Sequence, residues 1–245
     1  MKALILAGGY ATRLYPLTEN QPKPLLKVGG KPIVDHIMAK VEQIEDIDEV
    51  YVVTNDKFHS HFKEWAENFQ TGKKLKVIND GTFNNDDRLG SIGDIYFTLE
   101  NENINENLLV IAGDNLFGFS LKDFVSFFKE NYSRSIVALH DLNDLEKVKG
   151  KYGVGILEGS RIIDFEEKPL QPKSSLAATA CYIFNKDDLQ QVKFLVESGN
   201  ADAPGNLVKH LAKNTEVHGF VFNEEWFDIG SFESLQEARE AYDEN

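Results

Sequence analysis

LILAGGYATRLYPLTENQPKPLL, residues 4–26, sets the reading of the whole chain. An apolar run of strand length ends at Ala7 and meets Gly8-Gly9; Arg13, Pro16, Pro22, Lys23 and Pro24 follow. Glycines at a strand end let backbone N–H groups approach a ligand and face one anion together. Arg13 adds a planar fork that matches phosphate oxygens, and Lys23 a compact charge. The prolines stiffen the excursion, so both cations can point back at the turn. A stiff, glycine-lined cationic loop after a first strand suits a polyphosphate; a tight turn with two surface cations is the plainer alternative.

Outward from this loop, strand-like runs recur at 3–7, 50–54, 75–78, 108–112, 135–139, 154–157, 161–165, 177–184 and 217–222. Several are nearly continuous in Val and Ile, as in strands buried on both faces. Helical spacing falls between them. Pro32 opens a helix bearing Ile33, Ile37, Val41 and Ile44 on one face; Phe58, Phe62, Trp65 and Phe69 mark a second. Leu121, Phe124, Val125 and Phe128 follow Ser120 as N-cap; Leu207, Val208 and Leu211 mark another helix, and Phe232, Leu235 and Ala238 a last one. The alternation up to about residue 115 predicts a mainly parallel sheet with right-handed crossovers, whose ligands sit at the carboxyl ends of the strands. From Ser135 to Phe184 strands dominate, which predicts a strand-rich insertion. The expectation is one α/β domain over 1–245, with one half at about 1–115 and 217–245 and the other at about 116–216.

The net charge of −14 argues against broad nucleic-acid or anionic-membrane binding, yet leaves room for a locally positive pocket. Cys181 is the single cysteine, so there is neither an intrachain disulfide nor a thiolate metal cluster. No stretch has the length of a membrane span, and the apolar run at 3–7 is too short for a signal-peptide core. The expected compartment is the cytoplasm. His59 and His61 diverge on a predicted helix, and the other histidines are scattered, so no histidine metal pair or nucleophile–base couple is evident.

Neither a Walker-type G-x-x-x-x-G-K-[ST] nor a G-x-G-x-x-G fingerprint is present. The string Leu6-Ala7-Gly8-Gly9-x-x-Thr12-Arg13-Leu14-x-Pro16-Leu17-Thr18, followed by Lys23-Pro24-Leu25-Leu26-x-Val28 and Lys31-Pro32, instead resembles the signature of the sugar-phosphate nucleotidylyltransferases, especially the glucose-1-phosphate thymidylyltransferase branch. The resemblance continues in family order through Ala112-Gly113-Asp114-Asn115, Tyr152-Gly153-Val154, Glu166-Glu167-Lys168-Pro169 and Trp226-Phe227-Asp228-Ile229-Gly230, covering nearly the whole chain. It implies the nucleotide-diphospho-sugar transferase fold, a Rossmann-like sheet sandwiched by helices with a sugar-binding lobe inserted.

The resemblance also implies roles. Asp114 and Asp228 would bind Mg²⁺, a hard ion suited to one or two carboxylates plus phosphate oxygens and water. Each alone could equally be a turn or cap aspartate. Arg13, Lys23 and Lys168 would be the catalytic cations. Leu6, Gly8, Gly9, Leu89 and Gly113 would join Arg13 around the nucleotide. Asn115, Tyr152, Gly153, Glu167 and Trp226 would join Lys168 around the sugar phosphate. Without the family, Glu166-Glu167-Lys168 reads as a solvated charge run and Trp226 as a core aromatic. The partners implied are an NTP and a sugar-1-phosphate, with no nucleic acid or membrane; a homo-oligomer is left open.

The chain departs from that branch near residue 88, where Arg88 replaces the glycine of its Gly-Leu-Ala segment and the thymine-pairing glutamine has no clear counterpart. The base is therefore open among dTTP, UTP, CTP and GTP. A non-catalytic nucleotide-sugar-binding regulatory protein on the same fold is the alternative; it predicts damage at Arg13, Lys23, Asp114, Lys168 or Asp228, and all five are intact.

Overall fold

The computed structural model describes residues 1–243. In chain order its elements are β1 (Lys2–Leu6), β2 (Lys27–Val28), β3 (Lys31–Pro32), α1 (Ile33–Val41), β4 (Glu49–Thr54), α2 (Asp56–Asn68), β5 (Lys74–Asn79), α3 (Ser91–Glu102) and β6 (Leu108–Ala112). There follow β7 (Asn115–Phe117), α4 (Leu121–Glu130), β8 (Ser135–Asp141), α5 (Leu145–Val148), β9 (Gly153–Glu158), β10 (Arg161–Glu167) and β11 (Leu176–Phe184). The chain continues with α6 (Gln191–Glu197), α7 (Gly205–Asn214), β12 (Val217–Phe222), β13 (Trp226–Asp228) and α8 (Phe232–Asp243).

Nine strands form one sheet in the order β5-β4-β1-β6-β11-β8-β12-β10-β9. The first four are mutually parallel, so their carboxyl ends form a row at one edge. Beyond β6 the directions mix: β11 runs antiparallel to β6 and β8, while β12 is parallel to β8. Strand β9 pairs with β11 as well as with β10, so this part of the sheet turns back on itself and returns Gly153 and Glu167 toward Ala177. The strand-rich middle of the chain therefore extends the first sheet.

Two-residue periodicity divides the strand side chains between two cores. Ala3, Ile5, Val50, Val52, Leu109 and Ile111 face the layer of α1, α2, α4 and α8. Leu4, Tyr51, Val53, Leu108 and Val110 face that of α3, α6 and α7. The predicted helix stripes are the ones buried: Phe58 and Phe62 in α2, and Leu121, Phe124, Val125 and Phe128 in α4, whose Ser120 accepts the Asp123 N–H as N-cap. Burying a Phe of this kind is worth about 2–3 kcal/mol. The pairs β2–β3 and β7–β13 and the short helices α5 and α6 have no strong periodic signal, being held by their surroundings. Among the described residues no helix is long and apolar enough to cross a membrane.

Candidate functional site

Strand β1 delivers Gly8 and Gly9, and its neighbour β6 delivers Gly113 and Asp114, to the same edge. The Gly113 N–H donates to the Leu6 carbonyl, locking the two strand ends together. The antiparallel pair β7–β13 then sets Asp228 opposite Asn115, and the Ile229 N–H donates to the Asp114 carbonyl. Two acids more than a hundred residues apart thereby share one site. A cavity of about 370 Å³ opens over them. Its wall holds Leu6, Gly8, Gly9, Asn115, Tyr152, Gly153, Glu167, Lys168 and Trp226 together with Asp114 and Asp228.

Asp114 is tightly held. Lys23 Nζ donates to its Oδ2 at 2.5 Å and Asn115 Nδ2 to its Oδ1 at 2.8 Å. Trp226 Nε1 donates to the Asn115 Oδ1 at 2.7 Å, and the Tyr152 ring lies 4.9 Å from the Trp226 ring. Trp226 and Asn115 thus act first as struts that orient the acid. Burial works to raise the Asp114 carboxyl, but the Lys23 ammonium and the Asn115 amide overcome it and hold the group below its ordinary range. Asp228 has no such donors. Burial and the Asp114 charge push it up to about 6 against the pull of Lys23, Lys168 and Arg13. The cap of α8 is supplied by Ser231, whose Oγ accepts the Ser234 N–H, which leaves the Asp228 side chain free to face the cavity.

These donors fit Mg²⁺. Two carboxylates beside an amide, with neither imidazole nor thiolate, form a hard oxygen set, and their mutual repulsion is what a divalent cation relieves. Among the described residues no group of three or more His, Cys, Asp or Glu side chains could by itself hold a metal ion, so phosphate oxygens and water would supply the other ligands.

At the far end, burial raises the Glu167 carboxyl while Lys168 and Lys209 pull it down. A Cβ on Gly205 or on Gly153 would collide with the Glu167 carboxylate or the Phe165 ring, so both glycines serve to seat that acid. Lys168 adopts φ 47, a left-handed backbone that is uncommon for a side-chain-bearing residue, and its N–H donates to the Tyr152 carbonyl.

Four expected residues stand off the cavity wall. Lys23 reaches Asp114 from outside, and Arg13 is exposed in the turn at Thr12–Leu14 with its charge felt at Asp228. Gly113 is buried behind the loop, and Leu89 leans on the start of α3, where a Cβ on Gly93 would meet it. The segment before α3 is not capped by Asp87, which accepts the N–H groups of Phe83 and Asn84; Gly90 takes the cap position, and Arg88 pairs with Asp202 at 3.4 Å. Sequence reasoning passed over Asp94, Ser91, Lys151, Thr179 and Gly205, which also line the cavity. Asp94 carried a usable signal: it is an acid flanked by Ile92 and Ile95 at positions that all prove buried in α3.

Residues 2–245 match the Nucleotidyl transferase family. The chain is 31% identical over 233 residues to the bifunctional protein GlmU of Methanocaldococcus jannaschii and 31% identical over 235 residues to that of Methanococcus aeolicus. Each match covers 94% of this chain and 51% of the relative, so the chain spans about half the length of these curated relatives. Among solved structures, a Bacillus anthracis protein provisionally described as a glucose-1-phosphate thymidylyltransferase, in complex with sucrose, superposes with a TM-score of 0.85 at 28% identity. That match covers 100% of this chain and 96% of the other. UDP-glucose pyrophosphorylase complexed with UDP-glucose superposes at 0.81 with 26% identity, covering 98% and 97%. The motif order, the edge-on acid pair and the full-length match agree: this chain belongs to the nucleotidyl transferase family.

Proposed function

We propose that the chain transfers a nucleoside monophosphate from an NTP, with dTTP or UTP favoured, to a sugar-1-phosphate, with glucose-1-phosphate favoured, in a Mg²⁺-dependent reaction. An NDP-sugar and pyrophosphate are the products. The observation that carries this reading is the meeting of Asp114 and Asp228 at the carboxyl edge, within reach of the charges of Lys23, Lys168 and Arg13. Glucose-1-phosphate and dTTP or UTP are favoured by the motif resemblance and by the names of the two structural neighbours.

An oxygen of the sugar phosphate attacks the α-phosphorus, and the bond from that phosphorus to the bridging oxygen breaks, its electron pair leaving with pyrophosphate. The nucleophile is already anionic, so no side chain need act as a general base. Catalysis is positioning and charge neutralisation. Lys168 holds the attacking phosphate, with Glu167 accepting sugar hydroxyls. Lys23 contacts the α-phosphate region. Arg13 and the N–H groups of Gly8 and Gly9 receive the leaving pyrophosphate. Mg²⁺ held by Asp114 and Asp228 would supply further neutralisation of phosphate charge. Pyrophosphate release measured over a matrix of NTPs and sugar-1-phosphates with Mg²⁺ tests the proposal: one pair should stand out, and release from no pair would refute it.

A further inference from the structure

Across Gly8 from Asp114, two more acids close the cleft. Asp80 follows β5 directly, and Asp94 lies in the first turn of α3; they are 7% and 6% exposed. A Cβ on Gly8 would stand 2.7 Å from Asp94 Oδ2 and 3.2 Å from Asp80 Oδ2, so the two oxygens crowd one point above the glycine. Asp80 Oδ1 accepts both the N–H and the hydroxyl of Thr82 at 2.7 Å, donors that favour an ionised Asp80. Two buried carboxylates this close do not both stay ionised. Asp94 lacks such donors and keeps the proton, directing Oδ2–H at Asp80. Its Oδ1 is then a buried carbonyl with no hydrogen-bond partner, on a residue that lines the cavity. An acceptor left unmatched there is costly, and a ligand N–H would satisfy it.

We infer that Asp94 reads the nucleobase, its Oδ1 accepting the ring N–H of uracil, thymine or guanine at the end of the cleft opposite Glu167 and Lys168. This rests on the function proposed above, which sets the phosphates over Asp114 and Asp228 and the sugar toward Lys168, leaving this end for the base. Cytosine and adenine would turn a bare ring nitrogen toward Oδ1, lone pair against lone pair. A neutral acid also avoids repelling a triphosphate, as a second anion would not. The charged or titratable groups around Asp94 are few: Asp80, Asp87 acting on Asp80, the Tyr10 phenol reached through Thr82, and the exposed Arg88–Asp202 pair by the start of α3. The α3 N-terminus favours the ionised form, but burial first and then Asp80 push Asp94 up to about 8. Binding should therefore weaken as pH rises through that value.

The test is calorimetric titration of the full chain with dTTP, UTP, GTP and CTP, repeated with the ring-N-methyl analogue of whichever of the first three binds most tightly. D94A should weaken that nucleotide about tenfold, and ring methylation should weaken it about as much in wild type while costing D94A nothing further. D94N keeps a carbonyl and can donate its amide N–H to Asp80; it should stay far closer to wild type than D94A and lose the alkaline weakening. Circular dichroism melts establish that the variants fold. Equal affinity of D94A and wild type, equal cost of methylation in both, or CTP binding as tightly as the tightest of the other three would overturn the inference while leaving nucleotidyl transfer standing. A wild type that binds none of these nucleotides would overturn both.

Discussion

Asp114 and Asp228 stand on one side of Gly8, and Asp80 and Asp94 on the other. The first pair is bathed in positive charge: Lys23 donates directly to Asp114, while Lys168 and Arg13 act on Asp228. Among the described residues no lysine or arginine contacts the second pair, which has only the Thr82 donors. Asp114 and Asp80 follow β6 and β5 of the same sheet, while Asp228 ends β13 and Asp94 lies in the first turn of α3; each pair joins one of each kind, so the contrast comes from their neighbours. With cations beside it, an acid pair can keep its negative charge, as the proposed metal site requires; without them, it relieves its repulsion by holding a proton.

The comparison breaks most visibly at Asp114. D114A should lose at least about 3 kcal/mol of transition-state stabilisation, roughly a hundredfold or more in pyrophosphate release, with the protein still folded by circular dichroism. Full activity of purified D114A would remove the metal assignment and with it the contrast.

A pH titration separates the pairs. Asp94 sits near 8 against an ordinary 3.8, so its folded form binds the proton more tightly. The stability gained from that proton is therefore present at low pH and lost as pH rises through about 8. The unfolding free energy from urea melts should fall by about 3 kcal/mol between roughly pH 6 and 9, and D94N should flatten that window. Asp228, raised to about 6, contributes the same way in a lower window, from about pH 7 downward. Added Mg²⁺ should flatten the lower window, where it competes with the proton, and leave the upper one alone. A flat upper window in wild type would show that Asp94 and Asp80 share no proton.

Removing the ammonium should move the first pair toward the second. K23M leaves Asp114 without its direct charge partner and should cost about 2 kcal/mol, less than for a fully buried pair because both ends keep some water. Because Asp114 is held below its ordinary range, that stabilisation exists above the usual carboxylate pKa and is lost as pH falls through the lowered one. The cost of K23M should accordingly fade in acid. A cost that persists at low pH would mean that Lys23 stabilises the fold by packing its stem.

The two pairs also differ in how far the sequence discloses them. Asp114 follows a five-residue apolar strand and a glycine, and Asp228 lies two residues from Trp226 in a chain-terminal block, so strand-end logic and motif order both lead to them. The nine sheet strands were legible as well, since apolar runs of strand length, several of them nearly continuous, mark strands buried on both faces. The return of β9 onto β11 was not, because one residue pair, Ala177 with Val154, makes that contact and no periodicity encodes it. Asp80 and Asp94 were hidden by a rule that usually serves: an acid before a turn reads as a turn residue, and one near a helix start as dipole compensation. Only the bareness of Gly8, seen from above, shows that both point at the same place.

The smallest change tests which member of the second pair carries the proton. T82V removes the hydroxyl that donates to Asp80 Oδ1 and leaves the backbone N–H in place. If Asp80 is ionised both below and above the alkaline transition, losing that donor destabilises both forms almost equally. Stability should then fall by about 1 kcal/mol while the transition moves up by only a fraction of a pH unit. If the proton instead sits on Asp80 at neutral pH, the hydroxyl favours only the form reached in alkali, and T82V should delay the transition by a large part of a unit or more. Urea melts of T82V and wild type across that range distinguish the two arrangements, and a large upward shift would place the neutral-pH proton on Asp80 and leave the Asp94 Oδ1 on a carboxylate.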